Sequence, residues 1–219
     1  MTTLFEPIDA YCERTGPEYW AEPVNAVTNA AFLIAAWVMW RRTAGMPTGR
    51  ALSAVLGVIG VGSFLFHTHA NRMTALMDVL PILGFILLYL YAATRDFLGL
   101  SRIWAAGAVV AFFPYAALTV PVLAAILPLG SSSAYLPVPV LILGYAVVLR
   151  RRAPRTARGM ALGAGILVVS LAFRTLDGPV CGALPFGTHF LWHLLNALML
   201  AWMIEVWRRH MLAKAGARG

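Results

Sequence analysis

The chain has 219 residues, of which 60% are hydrophobic and only 12% charged, with a mean hydropathy of +0.76. Soluble domains carry about a quarter charged residues, so this composition excludes an ordinary soluble enzyme and requires an integral membrane protein with several spans. A net charge of +8 would point to nucleic acid in a soluble chain, but here the basic residues punctuate apolar runs, which argues for membrane orientation and against a nucleic-acid partner.

Residues 1–22 are polar, acidic and aromatic, and Pro7, Gly16 and Pro17 prevent one continuous helix. The segment lacks a basic flank followed by an apolar core, so no cleavable signal is expected. A first span is predicted from Pro23 to Trp40, with Pro23 suited to a first helical turn. A second follows at about 51–67, and HANRMT forms a short turn before a third at about 74–93. The fourth, about 103–127, holds Pro114 and Pro121 and is expected to kink. LPLGSSS is a turn, and spans five, six and seven are expected near 133–149, 159–176 and 187–207. The predicted fold is an all-α seven-transmembrane helix bundle over 23–207, with an acidic extracytoplasmic segment (1–22) before it and a basic cytoplasmic tail (208–219) after it.

Seven spans put the termini on opposite sides. Fourteen of the 17 lysines and arginines then share a side with the C-terminus, leaving Arg14, Arg72 and Arg174 on the other. The positive-inside rule therefore places the N-terminus outside and the C-terminus in the cytoplasm. The expected location is a bacterial inner membrane, with the functional layer towards the periplasm.

That layer is defined by ionisable residues inside apolar segments, which are costly and mark functional sites. Ser63 and His67 lie near the outer end of span two, Asp78 near the start of span three, and His189 and His193 at the start of span seven. All share one shallow depth, although they come from three helices. Three imidazoles without thiolates are a usual donor set for catalytic zinc with water in the fourth position. Asp78 is the one acid in the layer and suits proton transfer, and Ser63 suits a hydrogen bond to the water or the oxyanion. The alternative is that each histidine is a satisfied polar group joining helices.

Other polar residues read as structural. His69 is expected in a solvated turn and His210 on the tail. Asp177 and Arg174 are expected to pair or to anchor the last outer loop, and Glu205 to form a solvated pair with Arg208 or Arg209. Asn25, Asn29 and Asn196 are expected to bond between helices. The N-terminal acids Glu6, Asp9, Glu13, Glu18 and Glu22 could hold calcium or form a solvated acidic face. Cys12 and Cys181 both fall outside, where an oxidising compartment permits a bond between them.

In order along the chain stand Cys12-Glu13, Ala21-Glu22-x-x-Asn25-x-x-x-Asn29, Gly62-Ser63-x-x-x-His67, Asp78-x-x-Pro81, Asp177-x-x-x-Cys181 and His189-x-x-Trp192-His193. This pattern resembles the alkaline ceramidase family, a branch of the seven-span hydrolases that include the adiponectin and progestin-type receptors. The resemblance implies a zinc amidase that cleaves ceramide into a sphingoid base and a fatty acid. It implies His67, His189 and His193 as zinc ligands, Asp78 as proton carrier, Ser63 as helper, and a Cys12–Cys181 disulfide. It also implies calcium on an N-terminal stretch, which here reads Ala10-Tyr11-Cys12-Glu13-Arg14-Thr15. Glu13 and Glu22 keep the family's acids, Asp9 is adjacent, and the family's aspartate and asparagine are replaced. The expected partners are membrane lipids, with ceramide or another N-acyl lipid as substrate; oligomeric state is not legible. The rivals are a haem protein, since paired membrane histidines also ligate haem, and a receptor-like binding module without turnover.

Overall fold

The computed structural model describes residues 3–127 and 129–217. Pro128, in the expected LPLGSSS turn, and Arg218 and Gly219, at the end of the expected tail, lie outside the described residues, as do Met1 and Thr2. Seven helical stretches are long and apolar enough to cross a membrane, and the described regular structure is helical apart from one isolated bridge, Pro7 to Asn71.

The first span consists of α1 (Pro23–Thr28) and α2 (Ala30–Arg42), interrupted at Asn29. Side chains explain the break. The Thr28 hydroxyl donates to the Val24 and Asn25 carbonyls, and Asn29 Nδ2 donates to the Asn25 carbonyl at 2.9 Å, so side chains compete there for backbone acceptors. The two asparagines thus bond within their own span and to Glu22, not to another helix as expected.

α3 (Pro47–His69) joins α4 (Arg72–Ala92) through a two-residue link. Ala70 adopts φ +41°, a left-handed conformation that costs a non-glycine residue about 1 kcal/mol. The Asn71–Thr74 capping box closes the start of α4, and the Ile8 amide donates to the Ala70 carbonyl at 2.7 Å. The link therefore both reverses the chain and docks the N-terminal segment.

α4 continues through a π-helical turn, Ala93–Phe97, and α5 (Arg102–Ile126) begins at a Ser101 cap. A 3₁₀ turn at Gly130–Tyr135 leads into α6 (Pro137–Leu149), then come α7 (Pro154–Val180) and α8 (His189–Gly216). α7 and α8 outrun the predicted spans, and the helix continues through the region expected as a tail to Gly216.

α3 and α8 are the most buried spans and α5 the least. Phe32, Leu52, Leu56, Ile59, Leu171, Met203 and Ile204 form the fully enclosed core. At the far end of α8, Glu205 is buried and accepts from Arg42, Arg208 and Arg209. The expected pairing with Arg208 and Arg209 is present, but Glu205 itself is buried, not solvated, and Arg42 from α2 joins to tie α2 to α8.

Candidate metal centre

The centre is assembled by the two most buried helices. His67 lies in the last turn of α3, while His189 opens α8 and His193 follows one turn later on the same face. The start of α8 is fixed from α7. Asp177 Oδ1 accepts from the amides of Thr188 (2.8 Å) and His189 (2.9 Å), and its Oδ2 accepts from the Cys12 amide at 3.0 Å. Gly187 makes this approach possible: it has φ +62°, and a Cβ there would meet Asp177 Oδ1 at 2.0 Å. Of the two roles open to Asp177, the structure selects the loop anchor. Arg174 instead donates to the hydroxyls of Ser131 and Ser132, both at 2.9 Å. The Cys12–Cys181 disulfide is formed, with Cα atoms 5.4 Å apart, and pins the N-terminal segment beside this anchor.

The three imidazoles converge. Ring centroids are 5.1 Å (His67–His189), 4.7 Å (His67–His193) and 4.7 Å (His189–His193) apart. One ligand nitrogen from each lies within 4.8 Å of the other two. All three side chains are fully buried, and His67 Nε2, His189 Nδ1 and His193 Nε2 have no hydrogen-bond partner. An unsatisfied buried polar atom costs about 1–3 kcal/mol. Three of them facing a shared space fit a divalent ion better than a set of helix-joining contacts, and an all-imidazole set suits zinc.

The opposite edges of two rings are held. Glu22 Oε2 lies 2.6 Å from His67 Nδ1, and Thr28 Oγ1 lies 3.0 Å from His193 Nδ1. Arg14 locks Glu22 in turn: its Nε donates to Glu22 Oε1 at 2.5 Å, and its other nitrogens donate to the Gly16 and His67 carbonyls, both at 3.1 Å. Burial would raise the Glu22 carboxyl, but the hydrogen bond from His67 and the Arg14 guanidinium outweigh it and hold it below the usual range. The ionised Glu22 accepts a hydrogen bond from the Nδ1–H of His67, which leaves the Nε2 lone pair free to face the cluster. Tyr11 stacks on His189 with centroids 3.7 Å apart, and burial pushes its phenol up, so the ring stays neutral.

Ser63 is buried one turn before His67, and the partly buried Asp78 stands near the Ser63 side chain. Gly62 sets this spacing. A Cβ there would stand 2.0 Å from the Met77 carbonyl oxygen and 3.3 Å from the Asp78 amide, so α3 and α4 touch backbone to backbone at the level of the acid.

The calcium expectation finds no support among the described residues. Glu13 caps α1 through the Val24 and Asn25 amides at 2.7 and 2.8 Å, Glu22 is committed to Arg14 and His67, and Asp9 is exposed and apart from both. The positive charge that Glu22 requires comes from Arg14. Sequence reasoning missed Arg14, Tyr11 and Thr28. The available signal was an arginine within an acid-rich segment, on a side of the membrane that carries only three cations.

A protein-family model described as Ceramidase matches residues 9–217. No curated protein matches the sequence.

Proposed function

Because the chain belongs to the ceramidase family, we propose that it is a zinc-dependent amidase that hydrolyses ceramide or a related N-acyl lipid to a free fatty acid and a sphingoid base or other amine. The observation that carries this reading is the trio of buried imidazole nitrogens without hydrogen-bond partners, with one ligand atom from each histidine within 4.8 Å of the others. Zinc held by His67, His189 and His193 would supply a Lewis acid and lower the pKa of water towards ~7.

The chain's own groups do the rest. Glu22 and Thr28 orient two of the ligand rings. Asp78 accepts a proton from the attacking water and delivers it to the amide nitrogen, so a C–O bond forms as the C–N bond breaks. Ser63 donates a hydrogen bond to the Asp78 carboxylate or to the carbonyl oxygen as charge develops there. An apolar crevice of about 60 Å³ lined by Phe85, Tyr89, Ile142, Tyr145 and Met199 would take a short stretch of an acyl chain; Phe85 lies about two turns, roughly 10 Å, along α4 from Asp78. With the N-terminus outside, the site opens on the outer leaflet, the periplasmic one if the membrane is a bacterial inner membrane.

Metal analysis of the purified protein, paired with mass spectrometry of fatty acid released from N-acyl sphingoid lipids, tests the reading. His193→Ala loses metal and hydrolysis together. Asp78→Asn keeps the metal and loses about 10²–10⁴-fold in turnover. Hydrolysis retained in Asp78→Asn removes that residue from its role, and a Soret band in the pure protein replaces the zinc reading with haem.

A further inference from the structure

Towards the other end of α8, with Arg209 about 24 Å along the helix from His193, α7 and α8 line a second, larger crevice of about 890 Å³. Six of its lining residues are basic: Arg152, Arg155, Arg158, Arg209, Lys214 and His210, and no acid lines it. Arg209 is paired from below by Glu205, and Lys214 and Arg158 reach only backbone carbonyls. Arg152 and Arg155 make no side-chain hydrogen bond or ion pair among the described residues. The four cations without an acidic partner among the described residues, Arg152, Arg155, Arg158 and Lys214, repel each other around one concave space unless an anion enters.

The walls are set in advance. Trp202 Nε1 donates to the Gly159 carbonyl at 2.7 Å, and Thr156 Oγ1 lies 2.9 Å from His210 Nδ1, so α7 and α8 are bonded to each other across the base. Gly159 allows that contact, because a Cβ there would meet Val206 at 2.7 Å. The floor is apolar, formed by Leu162, Trp202 and Val206, and Leu162 is exposed on the outer face of α7. The cavity is therefore cationic at its mouth and continuous with the lipid-facing surface at its base. A soluble phosphate would use only the first feature, and a neutral lipid only the second.

We propose that this crevice is a binding site for an anionic phospholipid, whose phosphodiester lies among Arg152, Arg155 and Arg158 while an acyl chain follows Leu162 and Val206. Basic clefts between spans at the positively charged side of a membrane protein recognise such headgroups. The reading is independent of the histidine centre.

The test is native mass spectrometry and thermal unfolding of the purified full-length protein in detergent, with phosphatidylglycerol, phosphatidylcholine or soluble glycerol phosphate added. Phosphatidylglycerol is retained and raises the midpoint; phosphatidylcholine and glycerol phosphate do neither at matched concentration. The Arg152→Gln/Arg155→Gln double variant loses about fivefold in affinity per arginine. An Arg41→Gln/Arg102→Gln variant, which removes the same charge from the same end of the bundle outside the crevice, retains the lipid. The midpoint of each variant in phosphatidylcholine alone reports its fold separately. Equal retention of both lipids, equal loss in both double variants, or full protection by glycerol phosphate overturns the site.

Discussion

Glu22 shows how far one side chain's role can lie from its apparent class. In sequence it is the last of a cluster of acids; in space its carboxylate accepts a hydrogen bond from Nδ1 of the buried His67 imidazole and is itself clamped by Arg14. Removing such an outer partner typically costs 10–100-fold in metal affinity. Glu22→Gln keeps the shape but lets the amide present either donor or acceptor, so His67 loses its fixed tautomer. We expect zinc affinity to fall by about that factor, measured by competition with a chelator, while the circular dichroism spectrum is unchanged. Unaltered affinity would make the Glu22–His67 contact a mere packing feature. Arg14→Ala is the harsher change, because it strands a buried carboxylate, and it is expected to lower the unfolding midpoint as well.

Among the helices, the α3–α4 contact decides where the acid stands. At Gly62 an added methyl would meet backbone, which cannot rotate away, whereas at Gly57 it would meet only the Ala36 Cβ at an ordinary 3.6 Å. Gly62→Ala should therefore push α4 outward, carry Asp78 away from Ser63, and cost about 1–3 kcal/mol of stability. Zinc content should persist, since all three histidines reside on α3 and α8, while turnover falls at least tenfold; Gly57→Ala should leave both unchanged. Full activity in Gly62→Ala would show that the separation of the acid is not critical. This contact also marks the limit of sequence reading. The depth shared by Ser63, His67, Asp78, His189 and His193 was legible because helix spacing and span boundaries fix height in a bundle. Lateral neighbours were not. Glu22 and His67 are separated by 45 residues and Arg42 and Glu205 by 163, and no periodicity links such pairs. The helix-spacing rule saw Arg208 and Arg209 beside Glu205 but could show neither that Glu205 is buried nor that Arg42 joins them. Composition made the N-terminal acids look like a cation site because it could not show that Glu13 caps a helix.

For the whole molecule, two independent features argue for the same orientation. Thirteen of the 16 lysines and arginines among the described residues lie at one end of the bundle, the end the positive-inside rule would assign to the cytoplasm. The Cys12–Cys181 bond lies at the other end, beside the histidines, where only an oxidising compartment would keep it closed. Charge and redox chemistry share no physical cause, so their agreement weighs more than either alone. A green fluorescent protein fused after residue 217 should therefore fluoresce in the cytoplasm, and alkaline phosphatase fused ahead of residue 3 behind an export signal should be active outside. Blocking free thiols before reduction should leave Cys12 and Cys181 unlabelled in protein taken from the membrane, and labelling should appear only after reductant is added. The reverse fusion pattern, or free thiols at both positions, would invert the bundle and move the proposed hydrolytic site to the cytoplasmic leaflet. The arginine crevice at the far end of α8 would then face out, so one topology experiment fixes which leaflet each lipid must come from.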